Sequence, residues 1–235
     1  TLTSLGRVSI TIRDDSEPNR VRTALTSIGK WMLAKADNLG IATPDIIYKA
    51  GNRWLPLVST TPTEEAHTVA DTLYEEYEPD SVIDFGCGLG RYLNRFRGHG
   101  ATVHGVEGYS EAREEAEIPV EALTIHDLRK PLELDGRYDL ALCIETAEHI
   151  PARFADTLVK TITEAAQRVV FTAAPPGGSG THHVNEASRD YWIEKFQSHG
   201  FSYSSEETTR FQESIRSEIE TAEWIAERPF IFVKD

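Results

Sequence analysis

Residues 81–92 read SVIDFGCGLGRY. An apolar run carrying one acid, Asp84, breaks into glycines at 86, 88 and 90. Glycine accepts backbone conformations closed to other residues and lets a ligand come close to the main chain. The stretch therefore reads as a strand reversing sharply into a helix around something bound. Two familiar phosphate cradles are excluded by spacing. A G-x-G-x-x-G fingerprint counted from Gly86 would need its third glycine at 91, which is Arg91. A P-loop needs G-K-[ST], and none follows. An acid-x-G-x-G-x-G turn without lysine remains, which suits a ligand lacking pyrophosphate.

Downstream, the pattern alternates strand and helix. TVHGVEG (102–108), EALTIHD (121–127), YDLALCIE (138–145), RVVFTAAP (168–175), FSYSSEE (201–207) and PFIFVKD (229–235) read as strands. Helices are expected in RYLNRFRGHG (91–100), a helix and then its stop, in SEAREEAE (110–117), from Pro151 to about Gln167, in SRDYWIEKFQSHG (188–200) up to its stop at Gly200, and near 211–227. A capped amphipathic helix with an acidic first turn is expected over 59–77. Seven strands with interleaved helices define an α/β fold, a doubly wound and mostly parallel sheet. Such sheets bind ligands at the carboxyl ends of their strands. Two of those ends carry further acids. Glu107 ends the second strand, where its two oxygens can take two ribose hydroxyls. Asp127 ends the third, where a carboxylate can accept from an exocyclic adenine amine.

The chain has 235 residues and a hydrophobic fraction of 40%, enough for one α/β domain with an extension or for two small domains. No apolar run is long enough to span a membrane, and residues 1–15 lack the features of a signal peptide. The cysteines, Cys87 and Cys143, are too few for a disulfide scaffold or a cysteine zinc site, so a reducing cytoplasm is expected. The net charge of −14 argues against nucleic-acid binding. It fits an ordinary acidic enzyme or a protein from a salty, halophilic cytoplasm. Residues 1–60 carry 8 basic and 5 acidic side chains, whereas residues 61–235 carry 16 and 33. The first sixty residues are therefore expected to form a separate extension of strand, helix and hairpin. Its helix would bury Val21, Leu25, Ile28, Met32 and Leu33, and its hairpin would turn near Gly51-Asn52. With Trp31, Tyr48 and Trp54 it could be a small core, a substrate cap, or a docking arm for a second copy or a partner protein.

D-x-G-C-G-x-G, an acid closing the second strand and H-D-L closing the third together resemble the class I S-adenosylmethionine (SAM)-dependent methyltransferases. The resemblance covers residues 62–235. It implies a Rossmann-like methyltransferase fold whose last strand, PFIFVKD, runs antiparallel. It also implies SAM as cofactor. Gly86, Gly88 and Gly90 would bed its methionine part, with Asp84 holding that loop and the ammonium end. Glu107 would bind the ribose, and Asp127 with the backbone of Leu128 would read the adenine. Cys87, a small filler inside the turn, Gly108 and Glu145 complete the implied donor-binding set.

The acceptor chemistry hangs on Cys143-Ile144-Glu145-Thr146-Ala147-Glu148-His149. If this stretch turns helically, Glu145, Glu148 and His149 share one face. After the fifth strand, PPGGSGTHHVNE offers a glycine-rich loop with His182 and His183. Two jobs are open. His149 or His183 could act as general base on a hydroxyl, with Glu145 and Glu148 orienting it. Alternatively Glu145, Glu148, His149 and His182 could hold a divalent metal such as Mg²⁺. E-x-x-E-H at this place is similar to O-methyltransferases of quinone biosynthesis and to enzymes that methylate the terminal ribose of small RNAs. The HHVNEASRDYW segment looks more like methyltransferases of glycan and secondary-metabolite genes. The expectation is O-methylation of a small molecule, sugar or glycan. A nucleic-acid 2'-O-methyltransferase is the enzymatic alternative, and a catalytically silent SAM-fold module of an assembly is the other.

Overall fold

The structure is a computed structural model and describes residues 61–178, 180 and 183–235. The expected N-terminal extension and His182 lie outside the described residues.

One seven-stranded sheet organises the rest. Its strands are β1 (Ser81–Phe85), β2 (Thr102–Glu107), β3 (Leu123–Ile125), β4 (Leu140–Cys143), β5 (Arg168–Phe171), β6 (Phe201–Tyr203) and β7 (Phe230–Lys234), in the order β3-β2-β1-β4-β5-β7-β6. The first five are parallel, and β7 runs antiparallel to both β5 and β6. The order reverses at β1, which lies between β2 and β4, so the carboxyl end of β1 is the switch point of the sheet. That is where the glycine turn begins.

Strands buried on both faces have no polar face to show, which is why β1 and β4 read as nearly continuous apolar runs. Successive side chains point to opposite sides. Val82, Val103, Leu142, Val170 and Ile231 pack on the layer made by α1 (Thr63–Tyr77), α2 (Arg91–Gly98), α6 (Ser205–Ile215) and α7 (Glu223–Glu227). Ile83, Phe85, Cys143, Phe171 and Phe232 pack on α4 (Ala155–Ala165) and α5 (Arg189–Gln197). A short α3 (Ala112–Glu115) follows β2. Among the described residues no helix is long and apolar enough to cross a membrane.

Three local expectations need correction. The first helix starts at Thr63 behind Pro62 and has no side-chain cap; its acidic first turn, Glu64 and Glu65, is present. The helix expected near 211–227 is two helices, α6 and α7. Ser204 starts α6 early by accepting from the Glu207 N–H at 3.3 Å. The chain then breaks because buried Glu65 of α1 accepts the N–H groups of Glu220, Thr221 and Ala222 at 3.3, 2.7 and 2.8 Å. Those three donors are lost to helical pairing, and only the tertiary fold supplies their acceptor. Finally, Glu145 does not begin a helix. It sits at φ +48° ahead of a 3-10 turn over Ala147–His149, so the shared helical face of Glu145, Glu148 and His149 is not formed.

Candidate functional site

The turn after β1 has all three glycines in the left-handed region, at φ +82°, +56° and +80° for Gly86, Gly88 and Gly90. At Gly86 there is a second reason for glycine: a Cβ would collide with the Thr146 side chain from the turn after β4. Cys87 is buried, and its sulfur lies where a Cβ on Gly105 of β2 would project, consistent with a filler. Burial pushes both cysteine thiols well up, so neither is poised as a nucleophile.

Two acids line the switch point. Glu107, at the end of β2, accepts from the Gly88 N–H at 2.9 Å with Oε2 and from the Tyr109 N–H at 3.0 Å with Oε1. Each oxygen keeps a second lone pair. Burial raises its carboxyl to about 6, against the pull of the N–H groups of Gly88, Tyr109 and Gly108. Asp84, only 2% exposed, is raised to about 7 by burial and then by the charge of Glu107. Asp127 is placed differently. Arg129 grips both of its oxygens at 2.6 Å, and these bonds hold its carboxyl low despite partial burial. Leu128 beside it is buried. An adenine amine would have to share Asp127 with Arg129, a partner the sequence motif did not announce.

The turn after β4 forms the other side. The Glu145 N–H donates to Thr172 Oγ1 at 2.8 Å, just beyond the end of β5. Its carboxylate pairs with Arg228 at 3.6 Å. Because β7 is reversed, it begins at the edge where the parallel strands end, and that brings Arg228 here. Glu148 is fully buried; Oε1 accepts from the Ala174 N–H at 3.3 Å, while Oε2 has no donor. Burial, then the neighbouring charge of Glu145, pushes the Glu148 carboxyl well above the usual range. The Glu148 carbonyl accepts from the N–H groups of Val184 and Asn185 at 2.8 and 3.0 Å, which bolts the loop after β5 to this turn.

That bolt brings His183 to His149, ring centroids 5.1 Å apart and edge to face. One ligand atom from each of Glu148, His149 and His183 lies within 4.8 Å of the others. Of the four residues expected to share a metal, Glu148 and His149 are therefore together, Glu145 is not in the group, and His182 lies outside the described residues; His183 is the third member. One carboxylate and two imidazoles could hold a divalent ion. Arg228, Thr172, Thr146 and Glu186 complete the site, and no local spacing in the sequence points to any of them.

A doubly wound sheet with a reversed last strand, a lysine-free glycine turn at its switch point and acids at the ends of β1 and β2 define the class I SAM-dependent methyltransferases. The family model described as a methyltransferase domain matches residues 59–212, and the chain belongs to that family. No curated protein matches it by sequence. Among solved structures it is similar to magnesium protoporphyrin IX methyltransferase (ChlM) from Synechocystis PCC 6803 with bound SAH, with TM-score 0.54 and 19% identity over 93% of this chain and 100% of that one. It is also similar to SAM-bound CalS10, an amino pentose methyltransferase from Micromonospora echinaspora, with TM-score 0.58 and 14% identity over 80% and 97%. A TehB-like SAM-dependent methyltransferase from Corynebacterium glutamicum gives TM-score 0.57 and 15% identity over 82% and 100%.

Proposed function

We propose that this methyltransferase transfers the SAM methyl group to a hydroxyl of a small molecule, sugar or glycan, with the His149–His183 pair taking the proton. The observation that carries the reading is the cluster of Glu148, His149 and His183 in the turns after β4 and β5, beside the glycine turn. Displacement at a sulfonium needs two positioned reactants and, for a hydroxyl, a base. The turn of Gly86, Gly88 and Gly90, with Cys87 as filler, seats the methionine part, and Asp84 draws the ammonium. Glu107 and Gly108 meet the ribose, Asp127 and Leu128 the adenine, and Glu145 closes the methyl end. The E-x-x-E-H stretch favours the quinone-biosynthesis type of acceptor. The charge of −14 disfavours a nucleic-acid acceptor.

One observation favours a second reading. The buried Glu148 Oε2 without a donor, set beside two imidazoles, fits a divalent cation that would lower the pKa of a bound hydroxyl. Imidazole ligands suit zinc, iron or nickel better than magnesium, which prefers oxygen. The deciding experiment is an acceptor screen with radiolabelled SAM, run with and without a chelator. O-methyl product that survives chelation supports the histidine base. Loss of product on chelation, restored by one metal, supports the cation. Methylation confined to carbon or sulfur acceptors would overturn both.

A further inference from the structure

Glu186 lies between β5 and α5, and its carboxylate oxygens are divided between two nitrogens. Oε2 accepts from the Gly177 backbone N–H at 3.0 Å, and Oε1 lies 3.3 Å from His183 Nδ1. An ionised carboxylate only accepts. The hydrogen in that contact therefore sits on Nδ1, and the lone pair of the neutral ring is left on Nε2. The position of the ring is built as well. Its side chain is 10% exposed. A Cβ at Gly180 would overlap it, so only glycine fits there. The ring also meets His149 edge to face, and the next two residues are bonded to the Glu148 carbonyl.

From this juxtaposition we infer that Glu186 is a positioning residue that fixes His183 as the Nδ1–H tautomer, leaves Nε2 as its basic nitrogen, and so makes His183 the ring that receives the acceptor's proton. The inference rests on the hydroxyl reading above. In the step, the acceptor O–H bond breaks and its proton goes to Nε2. The oxygen bonds the methyl carbon, and the C–S electron pair returns to sulfur, giving S-adenosylhomocysteine. The imidazolium left behind faces the Glu186 carboxylate, which stabilises it as it forms.

Glu186→Gln tests the assignment because an amide has one accepting and one donating end. If its oxygen keeps the Gly177 N–H, its NH₂ faces Nδ1 and needs a lone pair there, which drives the ring proton to Nε2. The full-length protein labelled with ¹⁵N-histidine would be followed by long-range ¹H–¹⁵N correlation at a pH where the ring is neutral, with His183→Asn used to assign the signal. The wild type should show the Nδ1–H tautomer, and E186Q the Nε2–H tautomer. S-adenosylhomocysteine affinity should stay within about twofold, because Glu186 lies outside the donor turn. Transfer to an accepted hydroxyl should fall by about 10²-fold, the lower end of what general base catalysis supplies. An Nε2–H tautomer in the wild type overturns the inference, even if E186Q fails to fold, and so does the same tautomer in both proteins. The tautomer is read without acceptor. An enzyme with the expected tautomer that methylates only atoms with no proton to lose would overturn the hydroxyl reading, while the positioning by Glu186 stood.

Discussion

The backbone N–H of Gly88 donates to Oε2 of Glu107 at 2.9 Å, which joins the glycine turn after β1 to the acid that ends β2. The carboxylate shapes the turn, and in the proposed donor site it also takes the ribose. Glu107→Ala should weaken SAM binding by at least about 10²-fold, since two N–H groups and the ribose lose their acceptor together. Gly88→Val should do the same, because valine resists φ +56°. Calorimetric titration with SAM checks both, and unchanged affinity in either would sink the donor-site assignment.

Asp84 and Glu107 make pH a probe of the same site. Both carboxyls hold protons more tightly in the fold than in the unfolded chain, Asp84 up to about 7 from 3.8 and Glu107 up to about 6 from 4.5. The folded state therefore binds extra protons in that window, and stability falls as pH rises from about 4 to about 7, then levels off. The cationic donor prefers both acids ionised, so its affinity should rise across the upper part of the window. Asp84→Asn should flatten both profiles. At pH 8 it should melt higher than the wild type, by roughly 2–4 °C per kcal/mol of relieved burial, while binding SAM less tightly. A lower melting temperature at pH 8 would contradict the assignment.

Gly86 and Thr146 tie the donor turn to the acceptor turn. A Cβ at Gly86 meets the Thr146 side chain, and the backbone there has φ +82°. Gly86→Ala should cost about 2–4 kcal/mol, combining overpacking with left-handed strain. Adding Thr146→Ala should recover the overpacking part and leave the strain. A thermodynamic cycle in urea would read the coupling, and additive effects would mean the two turns do not press on one another.

Glu148 is fully buried and its carboxyl is pushed well above the usual range. A protonated carboxyl and an amide are close in shape, so Glu148→Gln should fold with a melting temperature within about 3 °C of wild type, a change below about 1 kcal/mol. Glu148→Ala should cost about 2–4 kcal/mol, since it opens a cavity and removes the acceptor of the Ala174 N–H. Thermal melts of the two variants side by side check the contrast; a Gln variant as damaged as the Ala variant would mean that the buried group is ionised.

The sequence alone determined where the glycine turn and the strand-end acids of this protein lie. The glycines of the turn and the acids Asp84 and Glu107 sit at the ends of strands whose apolar runs are local and periodic, and a strand end is a place that a short window can locate. The same reasoning found seven strands, and their order and the reversed last strand matched the implied fold. The acceptor half was decided by tertiary structure. The spacing of Glu145 to Glu148 and His149 predicts a helix, yet Thr172 takes the Glu145 N–H and the backbone turns left-handed. Arg228 reaches Glu145 only because β7 runs backward, and Glu65 splits a helix more than 150 residues away. His183 is brought to the site by the loop's bonds to Glu148 and Glu186. Periodicity records which face of an element is buried. Hydrogen bonds and ion pairs between distant segments answer to the donors and acceptors that packing brings within about 3 Å, and no local pattern encodes those meetings.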